Sequence, residues 1–212
     1  DAIAFARIGE GSLGGKARGL AFMNSMLVKY SQYAKYENVR VTIPRTVVVA
    51  TDYFDAFIRN NGLEYVLTTE MTDEEILSEF VSSTLPYKLR EALKAYVRTV
   101  SGPLAVRSSS KLEDSHYQPF AGIYSTYMIP YTEGNEDRQL RLLQKAIKSV
   151  YASTYFAASK AYVQSSQNLI AEEKMAVVIQ EVCGTEQDGL FFPTLSGVAR
   201  SINYYPIGGE TP

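Results

Sequence analysis

Residues 104 to 130 form the stretch in which reactive side chains are most densely concentrated. An apolar run, Leu104-Ala105-Val106, ends at Arg107, and Ser108, Ser109 and Ser110 follow it. Lys111, Glu113, Asp114 and His116 come next, before Phe120-Ala121-Gly122 restarts a strand-like run. A strand that delivers an arginine and several hydroxyl and amide donors to one point suits an anion with several oxygens, because the guanidinium fork matches phosphate geometry. The same residues also allow a plainer reading, a surface loop in which Arg107 pairs with Glu113 or Asp114.

A second cluster lies near the N-terminus. The apolar run Ile3-Ala4-Phe5-Ala6 leads into Gly9-Glu10-Gly11-Ser12-Leu13-Gly14-Gly15-Lys16. Leu20, Met23, Leu27 and Tyr30 recur at spacings of three and four, which predicts a helix beginning near Lys16. Backbone N–H groups and the dipole at that helix start favour an anion, and Lys16 adds a full charge. Gly9, Gly11 and Gly14 fit the pattern of a dinucleotide site. Such a site also wants an acidic residue about 20 positions later, where this chain has Val41-Thr42-Ile43-Pro44. A Walker loop fails because Glu10 and Ala17 occupy its glycine and hydroxyl positions. The alternative without a ligand is a flexible glycine turn.

Other chemistry is thinly supported. His116 is the only histidine, with no spacing that ties it to a nucleophile, and it reads as a solvated loop residue. Cys183 is the only cysteine, which excludes an intrachain disulfide and a thiolate zinc site, and it reads as a small core residue after a buried strand. Of the 16 tyrosines, Tyr30, Tyr53, Tyr96 and Tyr151 fall on apolar helix faces and read as core.

The elements that must position these groups alternate between strand and helix. Val39 to Ala50 reads as a strand broken by Pro44, with Thr46 to Val49 as its β-branched core. Thr51 or Asp52 is expected to cap a following helix that Asn61-Gly62 ends. Thr72 and Glu75 form a capping box for a helix through Phe80. Pro86 opens another, with Leu89, Leu93, Tyr96, Val97 and Val100 as its stripe and Gly102-Pro103 as its stop. Gly122 to Ile129 reads as a strand. Leu140 through Ala158 predicts one long helix, ending near Ser165 to Asn168. Met175 to Val182 reads as a strand covered on both faces. Leu190-Phe191-Phe192 is expected to pair with Gly197 to Ile202 as a hairpin. The pattern points to α/β or α+β, with a subdomain boundary around Tyr131 to Asn135.

Composition sets wider bounds. The 212 residues, 46% of them hydrophobic, suffice for one large or two modest domains. A net charge of −2 gives no field to attract nucleic acid or an acidic membrane. No run approaches the roughly 20 apolar residues of a membrane span, and the single cysteine suits a reducing compartment, so the expected location is cytoplasmic. A start at Asp1 without a methionine, and a finish at Gly208-Gly209-Glu210-Thr211-Pro212 without a closing element, suggest a fragment of a longer protein.

Taken together, three stretches resemble one family, the nucleotide-binding domain of phosphoenolpyruvate synthase and pyruvate phosphate dikinase, also found in glucan water dikinases and rifampin phosphotransferases. Leu13 to Leu20 is similar to its opening Gly-Gly-Lys segment, and Pro44 to Tyr53 to its proline, strand, threonine, helix unit. Val106-Arg107-Ser108-Ser109-Ser110, then Glu113-Asp114, then Phe120-Ala121-Gly122, resembles its most distinctive signature. Met175 to Val182 and Ser196-Gly197-Val198-Ala199 resemble two later strands. Arg200 departs from the family's apolar residue, and Leu190 to Pro193 is unusually aromatic.

The resemblance implies an α+β, ATP-grasp-like fold with mixed sheets and packed helices in two lobes, residues 1–130 and 131–212, incomplete in this chain. It implies ATP as ligand, with Lys16 and Arg107 as catalytic contacts to the phosphates. Gly14, Gly15, Ser108 and Ser201 join the nucleotide-binding set, and Gln180, Glu181 and Val182 lie at the adenine edge. It further implies transfer of the ATP β-phosphate to a histidine on another domain, then to an acceptor such as pyruvate. His116 lies among variable residues and is not that histidine. The Mg²⁺ ligands, the phosphohistidine domain and the acceptor-binding domain are expected outside this chain, so the fragment alone is expected to be inactive. The alternative is an inactive nucleotide-binding or regulatory module of the same fold.

Overall fold

The computed structural model describes residues 4–30, 37–110, 124–165, 173–199 and 201–202. Glu113, Asp114, His116 and Phe120-Ala121-Gly122 lie outside them. Contacts divide the chain into two compact units, Asp1–Val182 and Cys183–Pro212, each described by itself. Residue 130, the expected lobe boundary, falls inside the first.

Five strands form the sheet of the first unit: β1 (Phe5–Ile8), β2 (Thr46–Val49), β3 (Leu104–Ser110), β4 (Thr126–Ile129) and β5 (Met175–Glu181). Their order is β1-β2-β5-β3-β4, with β1 parallel to β2 and the other pairs antiparallel. The class is therefore α+β with a mixed sheet, as the resemblance implied. The apolar run of β5 makes it the central strand, laddered on both sides and buried from Met175 to Ile179.

One face of the sheet carries the main core. Val49, Leu104, Val106, Val177 and Ile179 pack there with residues of α2 (Thr51–Asn61), α3 (Asp73–Ser82), α4 (Tyr87–Val97) and α5 (Glu136–Ser153). An aromatic cluster of Phe54, Phe57, Phe80, Tyr151 and Tyr155 lies at its centre, the Phe54 and Tyr151 rings meeting edge to face at 5.1 Å. On the opposite face the described residues form a small cluster, Ala17, Val48, Ala176 and Val178, beneath α1 (Gly14–Lys29).

Local signals explain most ends. Gly62 takes φ +61° after α2, a left-handed stop that glycine adopts without steric cost. The capping box forms, with Glu75 N–H donating to Thr72 Oγ1 at 3.2 Å and Thr72 N–H to Glu75 Oε2 at 2.8 Å.

Five expectations need correction, one of them, the capping of α2, at the site described below. The long helix is two, α5 and α6 (Ala157–Ser165). At Thr154 and Tyr155 the amides reach back only three residues, to Tyr151 and Ala152, and Asp73 then accepts the Ala157 N–H at 2.8 Å. The terminal hairpin joins β6 (Thr185–Gln187) to β7 (Leu190–Phe192), not Leu190–Phe192 to residues 197–202. Asp188-Gly189, with φ +53° and +77°, forms the two-residue turn that matches strand twist. Cys183 is exposed, because the chain leaves the sheet after Glu181. Tyr30 is also exposed, together with Phe22, Met23 and Val28, since only Gly14, Gly15 and Ala17 of α1 are buried. No described helix is long and apolar enough to cross a membrane.

Candidate nucleotide site

The site is built where the start of α1 meets the end of β3. Gly14, the first helical residue, takes φ +71°, and a side chain there would stand 1.9 Å from the Ser109 carbonyl oxygen. Only glycine lets the two backbones approach so closely. Ser109 fastens the contact: its hydroxyl donates to Leu13 O at 2.8 Å and accepts the Ala17 N–H at 3.1 Å. One turn into the helix, Lys16 Nζ lies 3.1 Å from both Ser108 O and Ser108 Oγ. Strand β4 pairs with β3 only as far as Arg107, so Lys16 meets β3 just beyond the end of that pairing.

Sheet register places Arg107. It pairs with Val178 on β5 and Thr126 on β4, and it alternates with Ser109, so it shares the α1 face. The side chain is half-buried, and it makes no hydrogen bond or ion pair to any described residue. Gln180 belongs to the same face through its pairing with Ala105 and Thr46, and its amide donates to Thr46 Oγ1 at 3.1 Å. The structure therefore brings Gly14, Gly15, Lys16, Ser108 and Arg107 together, with Gln180 farther along the same face.

Glu181 and Val182 are placed differently. The Glu181 N–H donates to Arg45 O and the Val182 N–H to Pro103 O, each at 2.9 Å, so both amides are used within the sheet margin. The Glu181 carboxylate pairs with Arg45 at 3.0 Å beside Tyr96, on the face opposite Gln180. Ser201 is exposed in the second unit.

The glycine-rich loop is occupied from within. Asp52 accepts the Glu10 N–H at 3.1 Å and the Gly11 N–H at 3.0 Å, and Thr51 Oγ1 accepts the Ser12 N–H at 2.9 Å. Thr51 and Asp52 thus do not cap α2, whose N-cap is Ala50 without a side-chain cap; they reach back to the loop. Sequence reasoning missed this because the partners lie 39 to 42 residues apart, beyond any local spacing rule. It missed Ser109 for a related reason, since three adjacent serines look alike until alternation and the Gly14 contact single one out. Among the described residues there is no group of three or more His, Cys, Asp or Glu that could hold a metal ion.

Comparison with known proteins agrees with this architecture. Residues 10–211 match the family model described as pyruvate phosphate dikinase, AMP/ATP-binding domain. Bacillus subtilis has a similar protein named uncharacterized phosphotransferase YvkC, 31% identical over 157 residues, covering 71% of this chain and 17% of that protein. The phosphoenolpyruvate synthase of Aeropyrum pernix is 29% identical over 220 aligned positions, covering 93% of this chain and 23% of the relative. The chain thus spans about a fifth of the length of these curated relatives.

Proposed function

The chain belongs to the pyruvate phosphate dikinase AMP/ATP-binding family, and from that membership we propose that it is the ATP-holding part of a phosphoenolpyruvate synthase-like or dikinase-like phosphotransferase. The observation that carries the proposal is that two cationic side chains are based at consecutive residues of β3: Lys16, hydrogen-bonded to Ser108, and Arg107 itself, which by register lies on the α1 face. Fixed positive charge at the rim of a half-open sheet face suits a polyphosphate, whose transfer depends on positioning and electrostatic stabilisation. Arg107 supplies a planar fork that can engage two phosphate oxygens, and Lys16 supplies a point charge beside the α1 start. Gln180 is the side chain best placed to meet the rest of the nucleotide on that face.

In this reading the Pα–O–Pβ bond of ATP breaks and AMP leaves. The γ-phosphate departs as orthophosphate to water or as pyrophosphate to an added phosphate, and the β-phosphate stays on a histidine of another domain of a longer protein before passing to an acceptor such as pyruvate. Mg²⁺, which would neutralise phosphate charge, takes its ligands from outside the described residues. The full-length protein given ATP and Mg²⁺ should form an acid-labile phosphohistidine and release AMP. Arg107→Ala should lower that rate by about 10²- to 10³-fold. ATP binding without any phosphohistidine in the full-length protein would instead favour a nucleotide-binding module that does not turn over.

A further inference from the structure

Two consecutive residues at the start of α2 hold the glycine-rich loop by every polar group they offer it. Besides the three side-chain contacts of Asp52 and Thr51, the Thr51 N–H donates to Ser12 O at 3.0 Å. The loop glycines fit this contact rather than a ligand. A side chain at Gly9 would stand 2.5 Å from Asp52 Oδ1, and one at Gly11 would stand 2.5 Å from the Asp52 backbone nitrogen. Gly9 also takes φ +100°, which other residues rarely adopt. On the far side, Gly14 and Ser109 fasten the same segment to β3. The start of α1 is thus held from two elements, and Lys16 follows within one turn.

We propose that Asp52, with Thr51 beside it, is a positioning residue of the nucleotide site. Its carboxylate takes two loop amides that would otherwise face an anion, holds residues 9 to 12 against α2, and so sets where α1 begins and where the Lys16 ammonium stands. The inference rests on the reading of Lys16 and Arg107 as phosphate contacts. It assigns the loop amides of Glu10 and Gly11 to Asp52, and leaves the phosphates to the cations and the helix start. Charge on Asp52 matters twice, since an ionised carboxylate accepts both N–H groups and an amide side chain has one acceptor oxygen.

The test uses the full-length protein, with ATP affinity measured by titration and backbone amide exchange followed by residue. Asp52→Ala should weaken ATP binding by roughly several-fold, less than the roughly 10- to 100-fold that loss of a whole charged contact costs. Exchange at Glu10, Gly11 and Ser12 should accelerate while the amides of β5 stay as protected as in the parent. Asp52→Asn, which retains one acceptor, should recover part of the affinity. Unchanged ATP affinity in Asp52→Ala overturns the proposal, as does loss of β5 protection with equal deficits in both variants, which would mark Asp52 as structural only. Arg107→Ala, run in parallel, separates the two levels. If it weakens ATP binding and Asp52→Ala does not, the positioning role alone fails. If Arg107→Ala binds ATP like the parent, the reading of the site fails and this inference with it.

Discussion

Gly14 is the residue at which backbone conformation, packing and site coincide. Its φ of +71° alone costs an alanine about 1–2 kcal/mol, and the approach of the Ser109 carbonyl adds a clash that backbone movement must relieve. Gly14→Ala should therefore lower stability in denaturant titration by more than that backbone term and weaken ATP binding, because Lys16 is two residues away. Tyr151 shows the opposite situation, a group whose removal should be tolerated. Its hydroxyl is fully buried without a hydrogen-bond partner. Burial, with Asp52 and Asp55 adding to it, raises its pKa well above the ordinary 10.0. Burial likewise raises Tyr96, with Glu181 adding, and Tyr155, with Asp55 and Glu64 adding. The unfolded chain ionises these phenols near pH 10 while the folded chain keeps their protons. Their contribution is intact below that pH and is lost as pH rises above it. Melting temperature should fall on the alkaline side of pH 10, and Tyr151→Phe should flatten that fall with little change in stability at neutral pH.

Most helices and strands were legible where the signal was local. Thr72 and Glu75, Gly62 after Asn61, and the β-branched run of β2 stand where their chemistry predicts. Thr72→Ala should cost about 1 kcal/mol in equilibrium unfolding, the usual worth of an N-cap hydroxyl. Sequence failed where a long-range partner outweighed spacing. The periodicity from Leu140 to Ala158 continues across Thr154, yet the helix breaks there and Asp73 meets Ala157 from a different helix. Thr51 and Asp52 have the composition of caps but are turned toward a loop some forty residues earlier. The hairpin is a different kind of miss, because Asp188-Gly189 is itself a local turn signal, and Leu190-Phe191-Phe192 pairs back across it with Thr185 to Gln187. Within the site, Arg107 and Lys16 were visible as charges at the ends of apolar or glycine-rich runs. That Lys16 reaches Ser108 beside Arg107 depends on the β3 register and on the Gly14 contact.

The molecule as a whole divides its work between the two faces of one sheet. The face under α2 to α5 holds the main core, where Phe80→Ala should cost about 3–5 kcal/mol in unfolding. On the other face, among the described residues, α1 covers the small cluster, while Arg107 and Gln180 there stay half-buried, partly open to a ligand. With a net charge of −2 there is no general field to draw in an anion, and the proposed function assigns phosphate attraction to local charge, Lys16 and Arg107. Titration of ATP into the full-length protein and its Arg107→Ala variant therefore tests the account most directly. A weakening of roughly 10- to 100-fold is predicted, since a hydrogen bond to a charged group is worth about 1.5–3 kcal/mol. An Arg107→Ala variant that binds ATP as tightly as the parent would contradict it.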